Sequence, residues 1–149
     1  MKNWIVFSLI FFCIPVIAQK ADLPKKVIVT FDQKFPGIKD VKWKEEKGDY
    51  KIKFNYKGKN TTTEISEEGK WKKTTIHVLF DEMPGQVQAI VNSNKKGGEI
   101  SDPRKVTEDG EYTVYKVDII QGNTVTKLKI DETGKLLKLE TETKGGDNK

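Results

Sequence analysis

The stretch Glu64–Lys73 reads EISEEGKWKK, and Lys129–Lys138 reads KIDETGKLLK. Each holds an isoleucine, a polar residue, two turn-forming residues, Gly-Lys and then a large apolar residue. A glycine turn between two β-prone runs is the punctuation of an antiparallel hairpin. Its recurrence reads as the last hairpin of a helix-plus-meander unit written twice along the chain.

The segments upstream of the two hairpins fit the same reading. Leu23-Pro24 is followed by Val27, Phe31 and Phe35 at four-residue spacing, one face of a helix with Pro24 in its first turn. The run Val27-Ile28-Val29-Thr30 is β-branched and by propensity alone would pass for a strand. Met83-Pro84, Val87 and Val91 repeat the spacing, and there Gln86, Gln88 and Ala89 favour a helix. Both segments are therefore expected to be helices.

Strand-like stretches separated by glycine turns come after each helix. In the first half they are 41–46, 50–56, 61–66 and 71–78, and in the second 106–107, 111–121, 125–131 and 136–142. Tyr50, Ile52, Phe54 and Tyr56 alternate with Lys51, Lys53 and Asn55, as in a sheet covered on one side and wet on the other. The fold expected is α+β: two tandem units, each a helix packed on an antiparallel meander of about four strands. The two sheets are expected to join side by side, because a lone small unit would leave strand edges bare and bury too little surface.

The N-terminus has a character of its own. Lys2 precedes an apolar run from Trp4 to Ile17, and Val16-Ile17-Ala18 offers small or β-branched residues before a cut. That is the form of a secretory signal peptide, cleaved after Ala18 and too short to favour a membrane span. Cys13, the only cysteine, lies inside that run, so the exported chain is expected to hold no disulfide, thiol nucleophile or cysteine metal ligand. The organisation expected is a signal peptide at 1–18, units at 19–80 and 81–143, and a tail at 144–149. The location expected is the periplasm or beyond the cell.

The 149 residues carry 27 Lys and Arg against 22 Asp and Glu, a formal net charge of +5. The excess is mild and interspersed with acids, so nucleic acid is not an expected partner. His77 is the only histidine, which leaves no multi-histidine metal site. The paired acids at Glu45-Glu46, Glu67-Glu68, Glu108-Asp109 and Asp131-Glu132 fall at turns, where solvation opposes a raised catalytic pKa. No calcium loop and no phosphate loop can be written from the sequence. No catalytic residue, cofactor or metal is expected.

Candidate binding residues remain. Lys42, Lys44, Lys51 and Lys53 would share the polar face of two neighbouring strands, read either as a solvated, aggregation-blocking face or as a binding patch. Trp43 alternates with Val41 and is expected in the core. Trp71 alternates with Lys73 and Thr75, which makes it a candidate for a partly exposed anchor near those lysines.

Leu-Pro with Val and Phe at four-residue spacing, then Val41-Lys42-Trp43, Tyr50-Lys51-Ile52 and Glu68-Gly69-Lys70-Trp71, resembles the PepSY-like, beta-lactamase-inhibitor-like proteins secreted by Bacteroidetes. The resemblance spans essentially the whole exported chain as two PepSY-like units, and it implies a helix on an antiparallel sheet in each. It departs in the second half, where Pro103 stands near the place of Trp43 and Leu136 replaces Trp71. It also implies that such a protein binds, and in some members inhibits, a secreted enzyme. The function expected is non-catalytic binding of another envelope or secreted protein, with a periplasmic carrier of a small molecule or lipid as the alternative.

Overall fold

The computed structural model describes residues 20–109 and 111–143. The signal peptide expected at 1–18 and the tail expected at 144–149 lie outside the described residues.

The first helix, α1, spans Lys25–Lys34, and the second, α2, spans Gly85–Lys95. Pro24 and Pro84 stand immediately before them with φ of −55° and −54°, values the pyrrolidine ring imposes and a helix start requires. The carbonyls of Pro24 and Pro84 accept from the N–H groups of Ile28 and Gln88, both at 3.0 Å. The β-branched run in α1 is overridden by burial. Val27 and Phe31 are both 0% exposed, and a buried apolar face contributes more to a short helix than propensity costs.

Among the described residues, eight strands form a simple meander: β1 Lys42–Glu46, β2 Asp49–Tyr56, β3 Lys59–Ser66, β4 Trp71–His77, β5 Glu99–Glu108, β6 Tyr112–Gln121, β7 Thr124–Asp131 and β8 Leu136–Thr143. All pair antiparallel in the order β1 to β8 as one sheet. This corrects the expected architecture of two tandem helix-plus-meander units, since the strands run as one continuous meander. β4 and β5 are bonded in register from Lys73↔Glu108 to His77↔Arg104, so the sheet has no internal seam. Merging satisfies two rows of backbone donors and acceptors that separate sheets would leave at bare edges.

β5 is also longer than its expected core at 106–107. It begins at Glu99 and passes Asp102 and Pro103 through an irregularity between Ser101 and Arg104. A bulge is where a strand tolerates proline, since the missing N–H then costs no ladder bond.

Register fixes which side chains share a face. Ile52↔Thr63, Thr63↔Thr74, Thr74↔Thr107 and Thr107↔Thr113 run across the sheet on one side. The core residues Ile52 and Phe54 under α1, and Tyr115 and Val117 under α2, belong to that side. Both helices therefore cover the same face. The other face carries no described helix.

The helix-covered face holds two apolar clusters. Leu23, Val27, Phe31, Phe35, Ile52 and Ile65 form one, and Met83, Val87, Val91, Val117, Leu128 and Ile130 the other. Phe31 meets Phe54 edge-on, with ring centroids 5.0 Å apart at 82°, the geometry the ring quadrupoles favour. Between the clusters lie buried threonines, Thr61, Thr63, Thr74 and Thr113, whose hydroxyls bond within the sheet.

Gly69 and Gly134, the glycines of the two recurring stretches, close the hairpins against the helices. Their φ values are +85° and +86°. A Cβ on Gly69 would lie 2.9 Å from the Lys26 carbonyl oxygen, and one on Gly134 2.9 Å from the Gln86 Cβ. Only glycine supplies both the left-handed backbone and the clearance.

Candidate binding face

The open face is built by the alternate residues of every strand. Lys42 stands opposite Lys53, and Lys44 opposite Lys51, across the β1–β2 ladder. The structure thus brings all four sequence-predicted lysines onto one surface. It does not bring Trp71 to them.

Trp71 lies on the helix-covered side. Alternation from Lys73 and Thr75 would put it on the open face, but the register shifts between Glu64 and Ile65. Lys73 still pairs with Glu64, while Ile65 pairs with Trp71, leaving Lys72 as the extra residue of a bulge. One extra residue exchanges the faces, so the indole packs against the α1 cluster. Its Nε1 donates to the hydroxyls of Thr74 at 3.0 Å and Thr63 at 3.2 Å.

The four lysines differ in electrostatic state. Lys44 and Lys51 both donate to the Glu46 carboxylate. Those two bonds, that from Lys44 first, pull the Glu46 carboxyl down from its ordinary 4.5 to about 2. The bond to Glu46 in turn raises Lys51. Lys42 and Lys53 have no acidic partner among the described residues. They face each other across the ladder, and like charges placed so are stabilised by an incoming anion.

A groove of ≈ 860 Å³ opens beside them, lined among others by Lys39, Asp40, Lys42, Lys53, Asn60 and His77. One rim comes from the chain that links α1 to β1 and the other from the end of β4. The remainder of the open face is largely neutralised from within. Lys73 meets Glu64 at 3.1 Å, Lys127 meets Glu142 at 2.7 Å, and Arg104 joins Asp102 at 3.0 Å to Asp118 at 2.9 Å. His77, which the sequence left without a role, places Nδ1 2.9 Å from Asp102 and so joins this belt. Only the tertiary register assembles it, because Asp102 reaches His77 through the irregular start of β5.

At the centre of the same face Val106 and Val114 are 2% and 0% exposed, directly opposite each other. Lys116 lies on the same face of β6, and burial is the main reason its ammonium is pushed below the ordinary lysine value. Among the described residues no group of three or more His, Cys, Asp and Glu side chains could hold a metal ion. The acidic turns serve the backbone: Asp131 Oδ1 accepts from the N–H of Thr133 and of Lys135, both at 2.9 Å.

No protein-family model matches the chain, and no curated protein matches it in sequence. Solved structures do. A protein of Bacteroides eggerthii whose name places it in the periplasm superposes with a TM-score of 0.76 at 15% identity, over 84% of this chain and 93% of its own. A DUF2874 family protein of Bacteroides ovatus gives 0.74 at 21% identity, over 80% and 87%. A BLIP-like protein of Bacteroides fragilis gives 0.73 at 18% identity, over 85% and 92%. At such identities the likeness establishes the shared fold. No helix among the described residues is long and apolar enough to cross a membrane.

Proposed function

We propose that the protein is an exported, non-catalytic binding protein of the PepSY-like, beta-lactamase-inhibitor-like type, which engages an envelope or secreted protein through its open sheet face. The observation that carries this reading is the contrast on that face. Most charges there are matched by a neighbour and the unpaired Lys116 is partly buried, whereas Lys42 and Lys53 stand together, exposed and unmatched, beside the groove. A surface arranged in this way offers a defined cationic spot for an acidic side-chain cluster of a partner.

Two further observations support it. A BLIP-like protein shares the fold, and so does a protein named as periplasmic. The N-terminal run Trp4–Ile17 with Ala18 has the form of a cleaved leader. Restraint of an enzyme partner is the finer form of the proposal. The groove mixes Val41 and Phe54 with Lys39, Lys42 and Lys53 and stands open to solvent, so it does not close an apolar cavity around a lipid, which disfavours the carrier alternative.

The test is capture of envelope proteins on the wild-type chain, and then association kinetics with each captured protein. Replacing Lys42 and Lys53 by glutamate should slow association about tenfold or more, with the difference shrinking at high salt. Equal rates for wild type and variant would remove this face from the function.

A further inference from the structure

We propose that β8 is a self-association edge: two copies of the chain pair antiparallel through β8, about a twofold axis at Leu139. The inference is independent of the open-face reading, since it concerns the rim of the sheet.

The two rims differ. β1 is short, Lys42–Glu46, and all its residues except Trp43 are charged, a composition that blocks edge pairing. β8 runs Leu136–Thr143 with every residue exposed, and no described strand pairs with its outer side. Leu136, Leu137 and Leu139 are 38%, 39% and 46% exposed there. α2 packs over β6 and β7 and stops short of covering these leucines. Leu139 pairs with Leu128 and so points to the helix-covered side, while Lys138 and Glu140 point to the open side.

Charge, together with the length of strand engaged, selects the occupant and the register, since centring on Leu136 or Leu137 would leave most of β8 unpaired. A twofold axis perpendicular to the sheet preserves its faces, so opposed residues must share a face and a single residue must stand opposite its own copy. Centring on Lys138 or on Glu140 opposes like charges at the axis. Centring on Thr141 opposes Glu140 to Glu142. Centring on Leu139 places each Lys138 opposite the second copy's Glu140, and Leu139 against Leu139, with no like charges opposed. Lys138 and Glu140 already lie 2.6 Å apart within the strand, so the paired edges would form one alternating cluster. Each opposed ion pair and the leucine contact add the modest stabilisation typical of cross-strand neighbours, on top of a full ladder of backbone hydrogen bonds.

Sedimentation velocity of the exported chain over a concentration series tests the proposal. Wild type should dimerise reversibly. Lys138→Glu should weaken the dimer by about tenfold or more, because two attractive oppositions become repulsive. The double variant Lys138→Glu, Glu140→Lys should restore it, since the exchange recreates both pairs. Thermal unfolding of each variant establishes that the monomer fold is intact. A wild type that stays monomeric throughout overturns the proposal, as does a dimer indifferent to Lys138→Glu or a double variant that fails to recover.

Discussion

The Lys34 Nζ lies 3.8 Å from the centroid of the Trp71 ring, an ammonium from α1 laid over an indole from β4. The contact ties helix to sheet on the side away from Lys42 and Lys53, and the indole N–H is spent on Thr63 and Thr74. Trp71 therefore belongs to the fold. Trp71→Ala should cost about 2 kcal/mol in chemical unfolding, through lost packing and the lost cation–π contact. Binding of the folded fraction to any open-face partner should stay at the wild-type level. A selective loss of affinity without a loss of stability would return Trp71 to the binding site.

The lysines of the open face should separate into two pairs. Reversing Lys42 and Lys53 to glutamate should leave the melting temperature nearly unchanged, since exposed unpaired charges contribute little to folding. Reversing Lys44 and Lys51 should instead lower it slightly, because Glu46 would lose two partners and gain two like neighbours. Calorimetric melting of the two double variants side by side checks the distinction.

Glu46 makes a prediction about pH. Its folded-state carboxyl is held at about 2, below its ordinary 4.5, by Lys44 and then Lys51. A depressed carboxyl favours the fold where it is ionised, so its contribution is present above the ordinary value. That contribution fades as the pH falls from 4.5 toward 2. Carboxyl-detected NMR titration should find the Glu46 midpoint near the lower limit of that range. Lys44→Met and Lys51→Met should each move it upward.

Gly69 and Gly134 should be intolerant of any side chain. Gly69→Ala and Gly134→Ala should each cost about 2 kcal/mol or more, from a strained left-handed backbone and from the overlap with Lys26 or Gln86. Gly37, with φ +81° but no atom within 4 Å of a built Cβ, is the control. Gly37→Ala should cost only the backbone term, about 1 kcal/mol. Equal effects at Gly37 and Gly69 would show that the helix–turn approach carries no energy.

The sequence by itself determined whatever local rules govern. Proline before an apolar residue recurring every fourth position set both helices, and a period of two placed Lys42, Lys44, Lys51 and Lys53 together. Glycine turns set where β2, β3, β6, β7 and β8 begin and end to within a few residues. Only the tertiary structure decided the features that depend on pairing between distant segments. The strands form one meander and not two tandem units because β4 pairs with β5 along its length, and an unpaired backbone is costly wherever a partner strand is in reach. Trp71 changed sides because a single bulged residue at Lys72 inverts the alternation, and no local pattern announces a bulge. The same register gave Glu46 to Lys44 and Lys51 and left Lys42 and Lys53 unmatched, since a charge on a strand is neutralised chiefly by its neighbours across the ladder.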